Sequence, residues 1–197
     1  MTLPEWVVRR DFRGFPGLLQ AGNDALRRAA ASEDGLFYAL VTAMLYSIFA
    51  LEAHLNYAGQ KRLPQSWHGA GRVQPVERAL SVQQKVLLLL EISGHTLDLG
   101  RRPYQTLGCM AAFRSAIAHP KPEHLEHSVE IPAGIHSSFP PKPPTRLESM
   151  VTTKTATRFL RDAQDMIEDV NAKVLGERVE WLQERSVAHL ELHKADD

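Results

Sequence analysis

Arg114 and His119 are the two residues of this sequence whose types and spacing are best suited to chemistry. They lie five positions apart in the stretch FRSAIAHPKP, residues 113–122, with small or apolar residues between them. A histidine can accept or donate a proton near neutral pH, whereas an arginine stays protonated and binds phosphate oxygens with a planar fork. This pair could cleave RNA through attack of the 2′-hydroxyl. His119 would move a proton and Arg114 would stabilise the phosphorane, and the reaction needs no metal ion or cofactor.

The spacing of the pair sets a geometric condition. On a regular helix five residues turn through about 500°, so the two side chains would point about 140° apart. They can converge on one phosphate if the helix unwinds at His119, which Pro120 favours, or if a second subunit supplies the partner. In the structural alternative to catalysis, both residues only stabilise the fold. Arg114 then pairs with a buried carboxylate or with helix-terminal groups, and His119 caps the last turn. A similar pair, Arg62 and His68, lies in a predicted loop.

The elements that must position this pair are predicted to be helices. Apolar residues recur at helical spacing, strand-like alternation is nearly absent, and prolines and glycines mark the ends. The predicted helices cover residues 16–31, 36–58, 75–92, 103–118 and 153–193, the last divided at Gly176. We therefore expect a single all-α domain over residues 1–197, an antiparallel bundle of about five to six helices.

Residues 120–152 form a different kind of segment. They contain seven prolines, including the run PPKPP at 140–144, and show no helical period. Residues 129–131 could form a short strand. We expect a proline-rich irregular loop inserted before the C-terminal helices.

The stretch FRSAIAHPKP resembles the signature of the HEPN family, which is an arginine and then, after four to six residues, a histidine at the end of a helix. The order of the parts is also similar to that family: a long apolar helix with LEAHLN at 51–56, a loop, a leucine-rich helix with KVLLLLEI at 85–92, and the helix that closes on the pair. In many active members the residue after the arginine is Asn, Asp or His. Here it is Ser115, which is polar but has a shorter reach.

The resemblance implies a function as well as a fold. Many HEPN proteins are metal-independent endoribonucleases, often toxins or antiphage effectors, and a toxin of this kind can have a cognate antitoxin. They work as homodimers in which the signature residues of both subunits meet in one cleft. For this chain the resemblance implies an Arg114 and His119 site at a dimer cleft, with RNA as the substrate.

Further polar residues are predicted to support the pair. Glu52 and Asn56 lie one turn apart on the second helix, after a long apolar run, and could orient the arginine or histidine together with Ser115. Alternatively, they mark the point where that helix emerges into solvent, with Glu52 paired to a surface base. A rim of three basic residues could attract RNA phosphates: Arg101, Arg102 and Lys121.

Composition limits the binding partners and the location that can be expected for this chain. The 23 basic residues balance 23 acidic ones, so the chain as a whole gives no argument for binding nucleic acid or membranes, although residues 61–121 carry nine basic residues against three acidic ones. The single cysteine, Cys109, excludes an internal disulfide and is read as a small core residue. Without a recognisable signal sequence, and with the apolar stretch 36–51 read as a buried helix, we expect a cytoplasmic protein that does not insert into membranes.

Metal sites and other functions are weaker interpretations. His119, His124 and His127, or His189 with His193, could supply metal ligands, but neither set matches a known zinc pattern. The main alternative to an enzyme is a non-catalytic HEPN-like module that binds RNA, a nucleotide or a protein. A third possibility is a helical interaction protein whose PPKPP run docks in a partner groove.

Overall fold

The structure is a computed structural model that describes residues 5–11, 13–68, 75–126, 142–178 and 187–193. Within these ranges the body of the protein is all-helical, as predicted, and the two end segments add a two-stranded ribbon. The elements in chain order are β1 (Glu5–Asp11), α1 (Phe15–Ala31), α2 (Leu36–Arg62), α3 (Pro64–Trp67), α4 (Val76–Ala79), α5 (Val82–Ile92), α6 (Thr106–Ala118), α7 (Arg146–Met150), α8 (Thr153–Val170), a π-helical turn (Asn171–Leu175) and β2 (Val187–His193).

The core forms around α2, which packs most extensively against α1 and α8. Helix α8 has a strongly one-sided apolar pattern, and the side chains on its apolar face are buried: Ala156, Phe159, Leu160, Ala163, Met166, Ile167 and Val170. Helix α2 is apolar almost all round, but the residues it buries, from Leu40 to Gly59, lie on about one half of its circumference. Burial of these faces holds α5 and α6 in place beside α2.

Helix α2 is also long and apolar enough to cross a membrane when judged by length and composition alone, with a mean hydropathy of 1.7 over its most apolar window. In the described part of the chain it packs against α1, α5 and α8, and 39% of that window is buried.

The predicted loop after α2 begins later than expected. Residues 59–62 continue α2, and Trp67 on the short helix α3 packs its indole ring directly against Gly59. The ring is fully buried there, so only a residue without a side chain fits at position 59. Residues 69–74 of the predicted loop lie outside the described residues.

The predicted helix over 75–92 is two helices, because the backbone is extended at Leu80 and Ser81. Ser81 then starts α5 with a capping box, in which its hydroxyl accepts from the Gln84 N–H while the Gln84 side chain accepts from the Ser81 N–H. The sequence contains this signal, SVQQ at 81–84, but the prediction of one helix over 75–92 does not use it.

The prediction of helix as far as residue 193 is wrong. The helix ends after the π-helical turn at Gly176, which has a φ of 72° and makes the predicted break. Residues 187–193 then form β2, which pairs antiparallel with β1 so that Glu5 lies opposite His193 and Asp11 opposite Val187. The stretch VAHLELH does alternate apolar and polar residues, which is the signal for a strand. The part of the predicted helix over 179–186 lies outside the described residues.

The proline-rich segment contains one helix that was not predicted. Helix α7 begins at a second capping box, formed by Thr145 and Glu148, and ends at Met150. Residues 120–126 and 142–145 have no regular structure, as expected. The predicted strand at 129–131 and the start of the PPKPP run at 140–141 lie outside the described residues.

Candidate functional site

Helix α6 ends where the signature histidine stands. Ala118 is the last helical residue, and His119 leaves the helix with φ −133° and ψ 64° while its N–H donates to the Ser115 carbonyl over 2.9 Å. Pro120 follows and cannot continue the helix. The unwinding at His119, which is one of the two ways in which Arg114 and His119 can converge, is therefore present within one chain.

Arg114 and His119 line one cleft, which we call the inner cleft. It has a volume of about 450 Å³ and lies between α2, the first turn of α5 and one side of α6 along most of its length. The apolar part of its wall consists of Ile48, Val82, Leu107 and Met110. Its polar part includes Ser81, Gln83, Arg114, Ser115 and His119. Because α5 begins at this wall, the positive end of its dipole also lies at the cleft.

Arg114 is held by an ion pair with Glu52, whose carboxylate lies 3.1 Å from the guanidinium. The other carboxylate oxygen of Glu52 accepts a hydrogen bond from Lys85 over 3.1 Å, and Lys85 also donates to Asn56 over 2.9 Å. Helices α2, α5 and α6 are thus joined by one chain of polar contacts, and Arg114 stands at its solvent end with 48% of its side chain exposed.

The predicted orienting residues divide into direct and indirect ones. Glu52 contacts Arg114 itself, whereas Asn56 reaches the arginine only through Lys85 and Glu52. Ser115 lies on the exposed side of α6 at the edge of the cleft. The structural alternative is also met in part, because Arg114 does neutralise a carboxylate that is only 23% exposed. Its remaining exposed donors are still free to face a ligand in the cleft.

Lys85 is the residue that sequence reasoning missed. It lies in the leucine-rich stretch KVLLLLEI, where it was read as part of an apolar helix, and its side chain is only 1% exposed. A buried ammonium needs a carboxylate and further hydrogen bonds, and here Glu52 and Asn56 supply them. The available signal was a cation on the helical face that carries Val86, Leu89 and Leu90 into the core.

A second, smaller cleft lies on the other side of the α6 terminus, and we call it the outer cleft. It has a volume of about 260 Å³, and Ser115 and His119 line it as well as the inner cleft. The remaining wall comes from Ala112 and Ala116 of α6, from the chain after α6 and from α7, and its charged residues are Lys121, Glu123 and Arg146. Glu123 accepts a hydrogen bond from the backbone N–H of Arg146 over 2.8 Å, which ties the two segments together.

The structure brings Lys121 to the signature but not Arg101 and Arg102. The latter two precede α6, and the 13 residues of that helix place them about 20 Å from His119. Arg102 is also engaged, since its guanidinium donates to both carboxylate oxygens of the buried Asp162. The predicted phosphate rim around the cleft therefore has only Lys121 from its original three members.

Cys109 and the histidines differ from their sequence interpretation. Cys109 is exposed on α6 rather than part of the core. His189 and His193 lie on strand β2, where residues four apart are separated by about 13 Å, so they do not form the helical pair considered above. His127 lies outside the described residues, and within the described ranges no three His, Cys, Asp or Glu side chains are placed to hold a metal ion.

Comparison of the chain with models of protein families, with curated proteins and with solved structures returns no significant match. The chemistry of the site therefore rests on its residues and their arrangement.

Proposed function

We propose that this protein is a metal-independent endoribonuclease of the HEPN type. The observation that carries the proposal is that Arg114 and His119 line the same cleft, at the point where α6 unwinds. The order of the helices around the pair supports it, because an apolar α2, a leucine-rich α5 and an α6 that ends on the pair are the parts expected from the resemblance. A role in toxicity or antiphage defence, with a cognate antitoxin, belongs to the same proposal.

The proposed reaction is transesterification within the RNA strand. The 2′-hydroxyl oxygen forms a bond to phosphorus while the bond from phosphorus to the 5′-oxygen breaks, which leaves a 2′,3′-cyclic phosphate and a free 5′-hydroxyl. One group takes the proton of the 2′-hydroxyl and another donates a proton to the leaving 5′-oxygen. His119 serves as one of these groups, and Arg114 binds the non-bridging oxygens, on which negative charge develops.

The inner cleft offers a place for the nucleotide at the scissile bond. Its volume lies within the range of small-molecule sites, and an apolar wall with a few polar side chains is typical of such sites. A base can pack on Leu107 and Met110 while its phosphate lies between Arg114 and His119. The ion pair with Glu52 keeps Arg114 in one orientation before the substrate arrives, which is the benefit of a preorganised site.

A second copy of the chain would complete the site. The reaction has two proton transfers, and His119 is the only histidine that lines the inner cleft within the described residues. The part of α6 away from His119 carries small exposed or partly exposed residues on one side, Gly108, Ala111 and Ala112. Two such faces can approach closely across a twofold axis, and the second copy would then border the cleft and supply the missing proton-transfer group.

Cleavage of mixed-sequence RNA in excess EDTA tests the activity. We expect wild-type protein to leave cyclic-phosphate or 3′-phosphate ends, and Arg114→Ala and His119→Ala to lower the rate by at least about 100-fold. Arg161→Gln is a matched control, because Arg161 is an exposed arginine that lines neither cleft. Circular dichroism shows whether each variant is folded. Folded wild-type protein without cleavage would overturn the enzyme and favour the non-catalytic binding module.

Gly108→Leu tests the proposed dimer separately. A Cβ atom at this position meets nothing within 4 Å, so the substitution is compatible with the fold of a single chain. The larger side chain would keep two α6 faces apart, and we expect sedimentation to show monomers and the RNA assay to show loss of cleavage. A wild-type monomer that cleaves RNA would refute the shared site while leaving the activity itself intact.

A further inference from the structure

We infer that the outer cleft binds the phosphate next to the scissile one, through Arg146 and Lys121. This inference rests on the proposed function, because it takes His119 as the position of the scissile phosphate. It adds Arg146, which lies 32 positions after Arg114 in the sequence and has no place in the signature.

The two clefts are continuous across the end of α6. Ser115 and His119 line both, so a strand whose phosphate lies at His119 enters one cleft on one side and the other cleft on the other side. Consecutive nucleotides of one strand are joined through that phosphate. A substrate longer than one nucleotide therefore occupies both clefts.

The side chains of the two clefts suit different parts of a nucleotide. The inner cleft has the larger volume and an apolar wall, which fits a base. The outer cleft is smaller and more polar, and Lys121 and Arg146 supply positive charge there against the single carboxylate of Glu123. Bases can enter a cleft of the first kind only when they are unpaired, which favours a single strand over a duplex.

The two cations of the outer cleft are available for a phosphate. Both are exposed, and within the described ranges neither side chain is within ion-pair distance of a carboxylate. Arg102 and Arg158, by contrast, are both engaged with Asp162. The bond from the Arg146 N–H to Glu123 fixes the start of α7 beside the chain that carries Lys121, so the two cations are held on the same cleft.

Binding of oligonucleotides that cannot be cleaved tests this subsite without using the reaction. The probes are a 2′-O-methyl dinucleotide with one phosphate and a 2′-O-methyl pentanucleotide with several, and affinity is measured at several salt concentrations. We expect Arg146→Gln to weaken the pentanucleotide about ten-fold, the loss of one charge-assisted contact, and to leave the dinucleotide within two-fold. The slope of log affinity against log salt should fall by about 0.7 for the pentanucleotide. Arg161→Gln serves as the matched control of equal charge.

The outcomes separate the subsite from the enzyme. If Arg146→Gln and Arg161→Gln change pentanucleotide affinity equally, or if wild-type protein binds neither probe, the subsite is refuted whether or not RNA is cleaved. If the pentanucleotide requires Arg146 but wild-type protein does not cleave RNA in EDTA, the subsite stands and the protein is an RNA-binding module. If Arg146→Gln weakens both probes alike, the cleft does not read a second phosphate and the inference fails.

Discussion

His54 makes the stability of this protein depend on acid. It lies on α2 with its side chain fully buried, and its ring makes a T-shaped contact with the Phe15 ring, the two centroids being 4.7 Å apart. Within the described residues neither ring nitrogen has a hydrogen-bond partner. Burial, with a smaller contribution from the positive charge of Arg13, lowers the pKa of His54 from 6.5 to about 4. The folded protein therefore holds this imidazole neutral.

The size of the effect follows from the two pKa values. Between pH 6.5 and about 4 the unfolded chain binds a proton at His54 and the folded protein does not, so the free energy of unfolding falls as the pH falls through this window. Above pH 6.5 both states are neutral, and below about pH 4 both are protonated, so the loss is confined to the window. At about 1.4 kcal/mol for each pH unit, the complete loss is about 3 kcal/mol.

The test compares wild-type protein with His54→Leu by urea unfolding at several pH values between 7.5 and 4. The variant loses no hydrogen bond to a described residue and keeps a similar volume, so at pH 7.5 we expect the two free energies of unfolding to agree within about 1.5 kcal/mol. As the pH falls, the variant should gain up to about 3 kcal/mol over wild type. Taking the difference cancels the titration of all the other groups. Parallel curves for the two proteins would refute the buried neutral imidazole.

Three other substitutions have outcomes that the packing predicts. Glu52→Gln leaves the buried Lys85 without a counter-charge, so we expect urea unfolding to show that the free energy of unfolding falls by about 3 kcal/mol. Adding Lys85→Met to the same chain should restore most of this stability. An equal loss in the double variant would contradict a buried ion pair. Gly59→Ala would stabilise an isolated helix, but in this protein the new Cβ would lie 2.2 Å from the Trp67 ring. We therefore expect thermal unfolding to show destabilisation by about 1–3 kcal/mol. A gain in stability would show that the ring does not pack against position 59. Asp162→Asn removes a carboxylate that is 1% exposed and accepts hydrogen bonds from Arg102 and Thr106. We expect urea unfolding to show that the free energy of unfolding falls by about 3 kcal/mol. A fall of less than about 1 kcal/mol would show that these donors do not depend on the carboxylate.

Short-range sequence pattern determined where most helices begin and end and which residues form the Arg114 and His119 signature. The ends of α1 and α6, the start of α2 and the break at Gly176 follow from prolines, glycines and helical spacing, all of which act within a few residues. The spacing of Arg114 and His119 lets them converge if α6 unwinds at His119, and α6 does end there. Local pattern also contains the capping box of α5 and the alternation of β2, which the helix predictions over 75–92 and 153–193 do not include.

Long-range contacts were decided only by the tertiary structure. Lys85 and Glu52 are 33 positions apart, and Arg102 and Asp162 are 60 apart, so no spacing rule joins them. The exposure of Cys109 and the convergence of Lys121 with Arg146 depend in the same way on which helix faces pack together. The sequence by itself determined which residues can transfer a proton or bind a phosphate, because those are properties of single side chains. Only packing decided which of them share a cleft, because burial of apolar faces fixes how the helices lie beside one another.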